Sequence, residues 1–148
     1  MIKKVTNYLA SILKVDVDNE KTDHRIAIAS LLCAVAYADH HTSDLELQAI
    51  EASLKRLLDV DELQLETFIA LAKEEVKQST SIFDFTSQLE ALTHQERIDV
   101  IEAMWQTAYA DNHLDEIEEA IIRRVAGLIY LPHSEFIRTK LKVLSKNA

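Results

Sequence analysis

The 148-residue chain holds one glycine, Gly127, and one proline, Pro132. Hairpins, βα turns and phosphate-cradling loops all draw on these two residues, so their scarcity excludes most β and α/β architectures and every glycine-rich nucleotide loop. A single cysteine, Cys33, rules out an internal disulfide. No run approaches the ~18 apolar residues of a membrane span, and the N-terminus lacks the apolar region of a signal peptide. These absences together lead us to expect a cytoplasmic chain whose helices are joined by short polar loops.

Charge is the next constraint. The formal net charge is −9, yet residues 1–14 carry three lysines and no acid, and residues 120–148 carry six Lys/Arg against one acid. Residues 15–119 are left with seven bases and 24 acids, a local charge of −17. Phosphate binding needs clustered Lys/Arg, so nucleic acid is excluded as a partner of that middle. Cations and basic protein surfaces suit it better.

Apolar residues recur at helical intervals: Ile50, Leu54, Leu57 and Leu58; Ile98, Ile101, Trp105 and Ala108; Ile117, Ile121, Val125, Leu128 and Ile129. Ser43 with Glu46, Asp61 with Gln64, Thr93 with Glu96 and Asp115 with Glu118 have the spacing of a capping box, in which two side chains satisfy free amides at a helix start. The pattern predicts helices over 2–14, 21–38, 43–59, 61–77, 81–92, 94–110, 115–130 and 132–144. The first, with Ile2, Val5, Leu9, Ile12 and Leu13 on one stripe, is read as packing on the bundle in preference to docking on a membrane.

A shift of 72 positions aligns Arg25-Ile26 with Arg97-Ile98, Ala36-Tyr37-Ala38-Asp39 with Ala108-Tyr109-Ala110-Asp111, His41 with His113 and Glu46 with Glu118. Those are eight identities in 22 positions. Two copies are too few for an open solenoid. The expected fold is therefore all-α, one compact domain over residues 1–148 with about seven or eight helices and an internal pseudo-two-fold, its repeat units near 21–77 and 94–144. Small alanines would let the two central helices approach closely.

Each repeat concentrates carboxylates and imidazole in the loop between its first two helices. Asp39 and Asp111 end their helices, where the dipole disfavours an acid by a few tenths of a kcal/mol. Two arrangements offset that. The carboxylates can reach free amides of the following helix, with Glu46 and Glu118 acting as capping residues. Alternatively, Asp39, His41, Asp44 and Glu46 with Asp111, His113, Asp115 and Glu118 can hold a divalent cation, for which Ca²⁺, Mg²⁺, Mn²⁺ or Zn²⁺ suits mixed oxygen and imidazole donors. The loop is not an EF-hand, because its twelfth position is Ile50 or Ile122. No His-Glu-x-x-His or Glu-x-x-His occurs either, which excludes zincins and ferritin-like di-iron bundles. With no nucleophile elbow or activated thiol motif, no reaction can be read, and a non-enzymatic chain is expected. Tyr37 and Tyr109 are read as half-buried packing residues and Cys33 as a buried small hydrophobe.

The frame from Ala38-Asp39 to Glu46, repeated from Ala110-Asp111 to Glu118, resembles the TerB-like domains of bacterial tellurite-resistance proteins, also found at the N-terminus of the membrane-anchored co-chaperone DjlA. That family shows a helix ending in Ala-Asp-Gly and a glutamate seven positions after the aspartate. Here His40 and Asn112 stand where its glycine would be. Asparagine tolerates the left-handed backbone such a turn requires better than histidine does. The resemblance implies an all-helical domain with acidic residues at the junction of its repeats, metal-ion binding there, and a role in stress or tellurite resistance through protein partners at the inner membrane surface. The alternative is a purely structural interaction or co-chaperone-type scaffold with no metal.

Overall fold

The computed structural model describes residues 20–38, 42–79 and 81–146, with side chains from residue 24 onward. Within them the chain forms α1 (Glu20–Ala36), α2 (Asp44–Leu58), α3 (Glu62–Gln78), α4 (Phe83–Thr86), a 3-10 turn (Ser87–Leu89), α5 (His94–Ala108), α6 (Glu116–Leu128) and α7 (His133–Lys146), and no strand. The amphipathic stripe predicted over 2–14 lies outside the described residues.

From Ile26 to Ala36 the sequence of α1 is apolar or small on every side, and a helix of that kind must be enclosed. It is: α1 packs against α2, α3, α4, α5 and α6. Ser30, its buried polar residue, donates its hydroxyl to Ile26 O at 2.7 Å and leaves no unmet donor. The second core helix, α5, buries Ile101, Met104 and Trp105. Trp105 meets Phe136 of α7 at 5.2 Å between ring centroids, and Lys140 Nζ lies 5.6 Å above the indole while pairing with Glu119 of α6 at 2.8 Å. One aromatic contact and one ion pair thus tie α5, α6 and α7 together.

The duplication read from the sequence reappears in the packing. α1 lies on α3 as α5 lies on α7, α1 on α2 as α5 on α6, and α2 crosses to α5 as α6 crosses to α1. α1 and α5 pack on each other, with Ala36 and Ala108 buried at their C-terminal ends.

Three of the four expected capping boxes form in full, at Ser43/Glu46, Asp61/Gln64 and Thr93/Glu96. The fourth is different. Asp115 Oδ1 accepts from Ile117 N at 2.7 Å, one residue short of the box, so Glu118 is not its reciprocal partner. The single helix expected over 81–92 is also corrected, to the four residues of α4 and the 3-10 turn. Here Ser79 Oγ donates to Ser81 O and Asp84 Oδ2, and Phe83 N donates to Ser81 Oγ. These local bonds compete with the helical ladder that the apolar spacing alone suggests.

α6 closes in a Schellman motif, Leu131 N donating to Ala126 O and Tyr130 N to Gly127 O. The position that favours glycine there is occupied by Tyr130 at φ 60°, while Gly127 sits inside the helix.

Candidate functional site

The junction loops follow α1 and α5. Asp39, His40 and His41 lie outside the described residues. On the far side of the first loop, Thr42 donates its hydroxyl to Ala36 O at 3.1 Å, satisfying a carbonyl at the end of α1. Ser43 then caps α2: its Oγ accepts from Glu46 N at 3.1 Å, while Glu46 Oε1 accepts from Ser43 N at 3.2 Å. Asp44 is exposed, but Glu46 is turned inward and only 6% accessible. Its Oε2 is buried without a hydrogen-bond partner among the described residues.

In the second loop Asn112 adopts φ 64°. The left-handed conformation expected where the glycine is missing is therefore present, on the residue that tolerates it best after glycine. Asp111 Oδ1 accepts from His113 N at 3.0 Å and Asn112 N donates to Tyr109 O, so the aspartate folds back on its own turn. Asp111 and His113 are exposed and Asp115 is half-buried. Glu118, the counterpart of Glu46, is 4% accessible.

Of the eight residues singled out, the two helix-start glutamates are thus buried, Asp44, Asp111, Asp115 and His113 face or approach solvent, and two are not described. Among the described residues no three Asp, Glu, His or Cys side chains gather closely enough to hold a metal ion. What the geometry provides is one inward carboxylate per repeat at a helix N-terminus.

A family model described as tellurite resistance protein TerB matches residues 25–141. The chain belongs to the TerB family. The matched span takes in both junction loops and every helix from α2 to α6 in full, so the TerB domain is the duplicated bundle itself. No curated protein and no solved structure matches the chain.

Tyr37 and Tyr109 pack, half-buried, against the core as expected. Cys33 is fully buried, and desolvation raises its thiol pKa to about 12 against a small opposing pull from Lys73. Sequence reasoning passed over a concave surface between α2 and α7, lined in part by Arg56, Gln106 and Lys146. Its signal was present in the sequence: under the 72-residue shift these positions become Leu128, Ala34 and Glu74, so the two halves differ there in charge.

Proposed function

We propose that this TerB domain is a non-enzymatic module that takes up a divalent cation and engages a protein partner through its two junction loops. The observation that carries the reading is the buried Glu46 carboxylate. One oxygen serves the capping box and the other is enclosed without a hydrogen-bond donor among the described residues. A desolvated carboxylate oxygen of that kind is stabilised by a cation, because an unmet buried charge is costly. Asp44, exposed two residues before it, and Asp111 and Asp115 in the second loop add negative charge to the junction loops. Cation uptake would neutralise their repulsion and stabilise the bundle through linkage.

Titration calorimetry with Ca²⁺, Mn²⁺ and Zn²⁺ on the wild type and on Asp39→Asn/Asp111→Asn tests this. Weaker binding and a smaller cation-induced rise in melting temperature are expected in the variant; unchanged values for both would sink the idea.

A specific observation also favours the scaffold reading. The Ser43/Glu46 box and the Asp111 turn each use carboxylate oxygens on backbone amides, which is a structural employment. That reading expects the same melting temperature in EDTA and in each metal.

A further inference from the structure

The 72-residue shift that relates the two halves also pairs a segment inside the chain with one that precedes α1. α4 packs on α1 and α6, and the 3-10 turn packs on α1. Phe85 and Leu89, four residues apart, are the buried apolar residues of this segment. Beside it lies a hollow of about 230 Å³ whose lining includes Leu89, Arg97, Ile129 and Tyr130. Arg97 ties the segment to α6, donating to Glu90 O at 2.9 Å and to Ile129 O at 3.2 Å.

Shifted by 72 positions, residues 83–89 become 11–17. These lie outside the described residues, but their sequence keeps the apolar spacing: Leu13 and Val17 stand where Phe85 and Leu89 stand. The helices that carry α4 become α5 and α2, which pack on each other. A hollow of about 380 Å³ borders them, lined by Arg25, Leu57 and Leu58, the counterparts of Arg97, Ile129 and Tyr130, and by Ile28 and Leu92. Three equivalent positions thus line both hollows. The apolar side chain that the segment adds to the first of them, Leu89, corresponds to Val17.

The charge of the seat and of the segment changes together. Ala27 and Ser30 of α1 and Leu128 of α6 become Asp99, Glu102 and Arg56, which line a further hollow with Leu57, Gln106, Lys142 and Lys146. Over the same shift Thr86 and Gln88 become Lys14 and Asp16. Two nearly neutral surfaces are therefore replaced by two that each carry both signs. Glu102 pairs with Lys142, but Asp99 accepts from the neutral amide of Gln95 and Arg56 donates to that of Gln106, and neither has an ion pair among the described residues. Arg25 does not repeat the Arg97 clamp, since its guanidinium lies 5.0 Å from the Phe68 ring centroid. The seat offers apolar contact and mixed charge instead.

We propose that residues 11–17 of this chain dock on the surface formed by α5 and α2, with Leu13 and Val17 against the bundle and Val17 beside Leu57. The segment would complete the two-fold arrangement that α4 and the 3-10 turn represent in the other half. The inference does not depend on cation binding at the junction loops.

Variants of the full chain with one added cysteine test this by thiol labelling, Cys33 being fully buried and silent. Leu13→Cys and Val17→Cys are expected to react about tenfold or more slowly than Ser11→Cys, whose counterpart Phe83 is exposed. Leu57→Glu, on the seat, is expected to remove the protection at Val17→Cys, and a melt followed by Trp105 fluorescence verifies that this variant folds. A short bismaleimide gives a second reading that decides alone if Leu57→Glu unfolds the protein. Val17→Cys/Leu57→Cys is expected to cross-link within one chain, whereas Val17→Cys/Ser87→Cys, with its second thiol on the segment of the other half, is not. Equal labelling of the three positions, protection that survives Leu57→Glu in the folded variant, or absence of the 17–57 cross-link overturns the proposal. So does a 17–57 cross-link formed between two chains, which would make a second copy the host of the segment.

Discussion

Glu46→Gln separates the two employments of the buried glutamate. Glutamine serves the third helical position of a capping box as well as glutamate does, so the bonds with Ser43 survive. What is lost without a cation is the charge at the helix N-terminus, about 0.3–1 kcal/mol. For a chain of this size each kcal/mol moves the melting temperature by about 2–4 °C. Removing the enclosed charge also relieves its desolvation, so the two effects oppose and the melting temperature in EDTA is expected to stay within about 4 °C of wild type. A bound cation acts on a different scale: at one hundred times its dissociation constant it stabilises by about 2.7 kcal/mol. That corresponds to a rise of about 5–10 °C in the wild type. Glutamine offers a neutral oxygen where the cation needs a charged one, so most of this rise should vanish in the variant. Trp105, the single tryptophan and buried beside Phe136, reports both transitions by fluorescence. If Glu46→Gln keeps the full cation-induced rise, the enclosed oxygen is not a ligand and the argument built on it is wrong.

Other consequences concern the scaffold. Gly127 lies within α6 and a Cβ built on it meets nothing within 4 Å, so Gly127→Ala should stabilise by about 0.5–1 kcal/mol, seen as a rise of about 1–4 °C in thermal melts. Tyr130→Gly relieves a left-handed backbone at an exposed site and should also raise the melting temperature; a fall would mean that Tyr130 makes packing contacts that outweigh its strain. The Glu96 carboxyl is held below the usual carboxylate range, first by the Thr93 amide and then by its hydroxyl. Its contribution is therefore present above the unfolded-state value of about 4.3 and lost as pH falls through the lower folded value. Thr93→Ala should cost about 0.5–2 kcal/mol in denaturant titrations at neutral pH, with the gap to wild type narrowing in acid. Cys33, with its pKa near 12 and no exposure, should react with a thiol reagent only as fast as the protein opens; rapid labelling of the native state would contradict its burial.

The helices were legible because a 3.6-residue apolar period and a capping residue are local signals. The boundaries read from them fall within two residues for every long described helix. The segment 81–92 misled because Ile82, Phe85, Leu89 and Leu92 keep helical spacing while Ser79, Ser81 and Asp84 bond the backbone themselves. Spacing reports which side faces the core. It does not report whether the backbone between the apolar residues can sustain the ladder. Glu118 shows a related limit. Asp-x-x-Glu has the spacing of a box, yet the shorter reach of Asp115 to Ile117 N leaves the glutamate to other surroundings.

The candidate sites divide along the same line. Residues shared by the two halves, such as Ala36 with Ala108 and Glu46 with Glu118, are buried at equivalent places, so identity across the repeat marks what the duplicated architecture requires at its core and its helix starts. The concave surface could not be found that way, since its lining comes from α2, α5 and α7, distant in the chain, and no local period joins them. It shows instead as a difference between halves: Arg56 and Lys146 against Leu128 and Glu74, Asp99 and Glu102 against Ala27 and Ser30. Ala27 and Ser30 are buried, whereas Asp99 and Glu102 are half-exposed among the described residues. An internal repeat therefore provides its own control. Positions both identical and buried, such as Ala36 with Ala108, report on folding, while charge changes at equivalent positions mark where the two halves differ in surface.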